Sequence, residues 1–100
     1  MKTLIELWKP DCEDCEGAKP VISELEKEGF EFEKHNIADS DGQKLWAEFA
    51  EEIDEFSKTQ GWEEGYIYTP TFINPKTRQI LAFAQRPPTK EELVHLTQGE

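Results

Sequence analysis

Basic residues are scarce in this sequence. Eleven Lys and Arg stand against 22 Asp and Glu, a formal net charge of −11 over 100 residues. A general nucleic-acid binder needs a basic footprint, so that class is excluded. Docking on an anionic membrane is disfavoured for the same reason. No apolar run approaches the length of a transmembrane helix. The opening residues, Met1-Lys2-Thr3-Leu4-Ile5-Glu6, meet a charge too soon for a signal-peptide core. Cysteine is nearly absent as well. Cys12 and Cys15 are the only two, too few for a disulfide framework. Internal repeats and low-complexity segments are missing. These absences lead us to expect a cytoplasmic protein whose cysteines are a redox or metal pair in a reducing compartment.

One hundred residues is one domain's worth of chain, so residues 1–100 are expected to form a single domain. Apolar residues make up only 36%, but 11% are aromatic, and aromatics carry large burial areas. The chain is therefore globular with a very polar surface. Its charge is uneven: residues 1–66 carry 19 acids and 7 bases, and residues 67–100 carry 3 acids and 4 bases. A macromolecular partner of the first two thirds should present a neutral or basic face.

Residues 3–8 are short, apolar and β-prone, which predicts a strand stopped by Pro10 and Asp11. Ala18, Val21, Ile22 and Leu25 recur at spacings of three and four, marking a helix from Cys12 to about Gly29. A second strand is expected over Phe30 to Ile37, parallel to the first because a helix intervenes. Asp39 to Gly42 supplies turn and N-cap chemistry. Leu45, Trp46, Phe49, Ile53 and Phe56 then form one apolar stripe, which predicts an extended second helix over about 40–60. Residues 66–74 and 79–85 read as a hairpin around Asn74-Pro75-Lys76-Thr77. Thr89 with Glu92 three residues on suggests a capping box before a last helix. The expected order is β-α-β-α-β-β-α, a mixed four-stranded sheet in a three-layer α/β/α sandwich.

Cys12-Glu13-Asp14-Cys15 falls where the first strand ends and the first helix begins. Free backbone N–H groups and the helix dipole at that point stabilise a thiolate on Cys12. Cys15 lies one turn inside, where the two sulfurs can meet as a disulfide. Attack by the first thiolate on a target disulfide gives a mixed disulfide, which the second thiol resolves. The alternatives are an inert pair or half a metal site. His35 and His95 lie far apart without the short spacing of a zinc finger, and no second C-x-x-C completes a tetrad.

Taken together, these features resemble the thioredoxin-like family in its short, glutaredoxin-type form. Trp8 stands four before Cys12, and Glu6 six before it, where thioredoxins carry a tryptophan and a buried acid. Pro20 stands five after Cys15, like the proline of their first long helix. Thr69-Pro70-Thr71-Phe72 looks like the family's cis-proline motif. The resemblance covers about residues 3–37 and 66–99. It implies a thiol–disulfide oxidoreductase with Cys12 as nucleophile, Cys15 as resolving thiol, Glu6 and Trp8 in support, and Thr69 and Pro70 shaping the substrate groove. It implies no bound cofactor or metal, protein disulfides as substrates, a monomer, and electrons from a flavin-dependent reductase or from glutathione.

Several residues depart from the family pattern. Glu-Asp stands between the cysteines, Ala84 to Pro88 replaces a glycine-containing turn, and no clamp for the glutathione carboxylate is evident. Four of the six residues from Asp11 to Glu16 are acids, and like charge disfavours a thiolate. Each exposed pair at about 6 Å interacts by somewhat under ~1 kcal/mol in water, and several such pairs offset a helix-dipole term of roughly 0.3–1 kcal/mol. A weakly stabilised Cys12 thiolate favours a reducing role. Two rival readings remain: a glutathione-dependent glutaredoxin, and a redox-inert binding module that docks through its acidic middle helix. Packing alone also accounts for Trp8 and Trp46, and a loop-anchoring role for Trp62. Strand alternation leaves Glu6 either a proton acceptor for Cys15 or an exposed strand residue.

Overall fold

The first strand is buried on both of its faces, which fixes what surrounds it. In the computed structural model, which describes residues 2–98, β1 (Thr3–Trp8) is paired with a neighbouring strand along both of its edges. Residues 1 and 99–100, the ends of the expected domain, lie outside the described residues. After β1 come α1 (Glu13–Lys27), β2 (Glu31–Asn36), α2 (Ser40–Glu48), α3 (Ala50–Gln60), β3 (Thr71–Ile73), β4 (Ile80–Ala82) and α4 (Lys90–Thr97). The sheet order is β2-β1-β3-β4, with β1 and β2 parallel and the other pairs antiparallel. Leu4 packs with Ala18, Ile22 and Leu25 of α1 and Leu93 and Leu96 of α4. Ile5 and Leu7 face the other way, onto Phe49 and Ile53. Helices thus cover both faces, as a sheet with a parallel pair requires, and the fold is the α/β/α thioredoxin-like arrangement. No described helix is long and apolar enough to cross a membrane.

Local chemistry sets the element ends. Helix α1 stops at Gly29, whose φ is +96°. Its N–H donates to Glu26 O at 3.1 Å while Phe30 N–H donates to Leu25 O at 3.1 Å, the paired bonds of a Schellman motif. Polar β2 sits at the sheet edge, where charged side chains discourage stray strand pairing. The capping box at α4 is present: Glu92 N–H donates to Thr89 Oγ1, and Thr89 N–H donates to Glu92 Oε1 at 3.0 Å. Asp39 is the N-cap residue of α2, although its side chain makes no capping bond.

The middle of the chain departs from expectation. The single extended helix over 40–60 is two helices, broken at Phe49 (φ −104°, ψ 14°). The contact that meets the break comes from far along the sequence. Arg78 of the hairpin donates from Nη2 to Glu48 O at 2.9 Å and sets its guanidinium 4.3 Å from the Phe49 ring centroid. It also pairs with Glu52. The apolar stripe crosses the break unchanged, so the periodicity gave no sign of it. The hairpin strands are also shorter than expected, three residues each. Residues 66–70 run past Cys12 as irregular chain, and at the turn Asn74 is engaged otherwise: its Oδ1 accepts Lys76 N–H at 2.9 Å, and its Nδ2 donates to Leu96 O at 3.0 Å. That side chain ties the turn to α4.

The start of α2 lies directly on the end of β2. A β-carbon built on Gly42 would collide with Asn36 O and stand 2.9 Å from Ile37 Cα. Backbone cannot yield as a flexible side chain does. Gly42→Ala should therefore destabilise the protein by about 1–3 kcal/mol. Thermal unfolding should show Tm falling by roughly 4–8 °C for each kcal/mol in a chain this size. An unchanged Tm would show that the approach of α2 to β2 is slack.

Candidate active site

Cys12 is the N-cap residue of α1, with extended backbone (φ −115°, ψ 108°). Its Sγ accepts Cys15 N–H at 3.1 Å, a bond that serves one of the unpaired donors at the helix start. Cys12 and Cys15 are joined as a disulfide, with α-carbons 5.2 Å apart. Both are largely buried, Cys12 at 8% exposure and Cys15 at 4%. From across the sheet end, Thr69 brings its hydroxyl to 3.4 Å and its carbonyl to 3.5 Å from Cys12 Sγ. A disulfide sulfur has no proton to give, so in this state the hydroxyl is the donor. The Thr69–Pro70 peptide is cis, as the motif implies. Cys12, Cys15, Thr69 and Pro70 therefore meet at one end of the sheet.

The pair separates two spaces. On the Cys12 side an open groove of about 280 Å³ is lined by Asp11, Glu13, Asp14, Tyr66, Tyr68 and Thr69, among others. Behind Cys15 lies a cavity of about 480 Å³, with Glu6, Trp8, Lys19, Ile22 and Lys34 in its wall. Glu6 and Trp8 thus belong to the Cys15 side. Glu6 shares a face of β1 with Leu4, beside Lys34 on β2 and Phe72 on β3, and is only 5% exposed. The burial left open by strand alternation is resolved: Glu6 is inside.

Burial dominates the chemistry of Glu6. It raises the carboxyl from its ordinary 4.5 to about 7, with Lys34 pulling it down and Glu26 pushing it up. Lys34 Nζ is held by Glu26 Oε2 at 3.2 Å, so its charge is already partly matched.

Some residues of the site were not legible in advance. Tyr66 and Tyr68 enter the groove because the chain before Pro70 runs beside Cys12, and Lys34 reaches Glu6 through strand register. Parallel pairing gives strand direction but not register, so nothing in the sequence put Lys34 opposite Glu6. The bond from Gln85 N–H to Asp14 Oδ2, 2.8 Å long across 71 residues, had no sequence signal. Trp62 anchors its loop: its ring lies 5.9 Å from Phe56 and 4.6 Å from Tyr68. Trp46 packs against the core on the α3 side. Among the described residues no three His, Cys, Asp or Glu side chains are grouped as a metal set.

The raised Glu6 pKa has a definite effect on stability. Between pH 4.5 and 7 the unfolded chain releases this proton while the folded protein keeps it. Stability therefore falls as pH rises through that window and stays lower above it. The full difference corresponds to about 3 kcal/mol, an upper figure for a group bordering a cavity. Denaturant unfolding of the oxidised protein should show Glu6→Gln gaining on the unmodified protein between pH 4.5 and 8. Parallel pH profiles would show that Glu6 titrates normally.

Comparison with curated proteins gives no match, and comparison with solved structures gives none. The family described as Glutaredoxin-like domain (DUF836) matches residues 3–68, from β1 through both cysteines to the residue before Thr69. Matched over most of its length and folded on this sheet order, the chain belongs to that glutaredoxin-like family.

Proposed function

We propose that this protein is a thiol–disulfide oxidoreductase that reduces protein disulfides through Cys12 and Cys15. One observation carries the reading. The two sulfurs sit at the start of α1 with different surroundings, an open groove beside Cys12 and a buried acid beside Cys15. That asymmetry suits a nucleophile and a resolving thiol.

The exchange balances as follows. In the dithiol form the Cys12 thiolate accepts hydrogen bonds from Cys15 N–H and Thr69 Oγ1. It attacks one sulfur of the target disulfide. The target's S–S bond breaks and one target sulfur leaves as a thiolate, which takes a proton from water. Cys15 then gives its proton to the ionised form of Glu6, whose carboxyl lies in the same cavity wall and becomes available as an acceptor as pH approaches about 7. The Cys15 thiolate attacks Cys12 Sγ and releases the second target thiolate. Two electrons pass from the dithiol to the target, and the Cys12–Cys15 disulfide remains. A thiol or dithiol donor must then reduce it, either glutathione or a flavin-dependent reductase. The protein works as a monomer in a reducing compartment such as the cytoplasm.

A second reading, a glutathione-dependent glutaredoxin, is favoured by the family match. Against it stand the carboxylates of Asp11, Glu13 and Asp14 in the groove, which repel an anionic tripeptide. A glutathione mixed-disulfide assay separates the two readings.

The test begins with redox titration against a dithiol buffer, read by thiol alkylation and mass. A reversible two-electron transition is expected; a pair that never opens sinks the proposal. With a neutral peptide disulfide, Cys12→Ser should abolish reduction and Cys15→Ser should accumulate the mixed disulfide. Glu6→Gln should leave the first attack in place and slow resolution by about a hundredfold or more. The resolution rate should rise with pH toward about 7 in the unmodified protein, and lose that inflection in Glu6→Gln. An identical profile in both would remove Glu6 from the reaction.

A further inference from the structure

The groove beside Cys12 joins two features. Its rim is acidic, with Asp11, Glu13 and Asp14 opposed by Lys9 alone among the lining side chains. One wall is aromatic. Tyr66 is the exposed large apolar side chain among the described residues, at 45%. It does not hang free. Its ring lies 5.0 Å from Tyr68, edge to face, Tyr68 lies 4.6 Å from Trp62, and Trp62 lies 5.9 Å from Phe56 of α3. Four rings in series root Tyr66 in the helix behind it, and its side chain lines the groove.

The donor side of the groove is also committed. Gln85, in left-handed backbone (φ +68°), gives its N–H to Asp14 Oδ2. That donor is closed to an incoming carboxylate. What remains for a ligand is an aromatic side chain, three carboxylates against the one cation of Lys9, and the Thr69 backbone, on balance a surface for a cation on an extended chain.

We propose that this groove selects target cysteines flanked by arginine or lysine, with the cation seated over Tyr66 and beside Asp11 and Glu13. This rests on the oxidoreductase reading above and names its substrate class. The same carboxylates disfavour glutathione and targets with acidic flanks. Steering by a one-sign cleft raises association rates and weakens with salt, which gives the selection a signature.

Three symmetric peptide disulfides, alike except for Arg, Gln or Glu beside the cysteine, test the proposal. Mixed-disulfide formation by the reduced protein is followed by acid quench and alkylation. At low ionic strength the Arg peptide should react about tenfold or more faster than the Glu peptide, and the ratio should shrink in about 0.5 M salt. Asp11→Asn combined with Glu13→Gln should collapse the ratio. Tyr66→Leu should lower the Arg rate relative to the Gln rate. If the Gln peptide reacts but Arg and Glu peptides react alike, the proposed selection is overturned and the oxidoreductase stands. If the reduced protein leaves even the Gln peptide intact, the oxidoreductase reading fails and the selection falls with it. An Arg-to-Gln ratio unchanged in Tyr66→Leu overturns the aromatic seat.

Discussion

Burial of β1 on both faces is the constraint from which the site follows. Six residues form a strand with Leu4, Glu6 and Trp8 on one side and Ile5 and Leu7 on the other. Because both sides are covered, α1 must return over the Leu4 face, and the short link after Trp8 must deliver Cys12 to the start of that helix. Asp11 makes the turn in left-handed backbone, φ +55°, a conformation that Asp tolerates better than most residues. The disulfide is thereby fixed at the end of a rigid strand. The same alternation puts Glu6 behind Cys15, two residues along from Leu4 on the core side.

The loop after β4 is fastened to this frame by several independent contacts. Arg86 pairs with Glu92 through two nitrogens, at 2.8 and 2.6 Å, and lies 5.0 Å from the Phe83 ring centroid. The Arg86 hydrogen bonds hold the Glu92 carboxyl down at about 2, so the pair stays ionised across the working range. A β-carbon on Gly17 would reach within 3.0 Å of Pro87 Cβ, so the absence of a side chain there lets the loop lie against α1. Asp14 ties the same loop from the other side. The dipeptide between the cysteines therefore has two consequences. It adds charge at the groove, and one of its carboxylates positions the loop that walls the groove.

Signals carried by neighbouring residues were legible, and those carried by distant ones were not. The strand before the cysteines, the helix after them and the Thr89–Glu92 capping box are patterns within a few residues, and the structure contains each. The cis Thr69–Pro70 peptide and its approach to Cys12 came from resemblance, since nothing local in a Thr-Pro pair specifies either. The break at Phe49 was hidden because the apolar stripe runs on across it, and its partner Arg78 lies 30 residues away from Glu48. Strand lengths failed for a similar reason: residues 66–70 are β-prone, yet they run past Cys12 as irregular chain. The protonation of Glu6 was the least legible, because it depends on a cavity and on which strand lies beside it.

That protonation also explains how an acid can persist in the core of a chain already carrying a net charge of −11. An ionised Glu6 would need a full counter-charge, and Lys34 stands opposite it in register. But Lys34 is shared with Glu26, whose own charge acts on Glu6 in the opposite sense. The two influences partly cancel, and loss of hydration decides the outcome. A bare Lys34 would lower the carboxyl toward the ordinary range. A cavity without Lys34 would raise it further and keep the proton fixed. The Lys34–Glu26 pair and the loss of hydration together leave the Glu6 carboxyl between these limits, at about 7. The stability lost by ionising an acid there is a local cost of the kind that marks a candidate functional site.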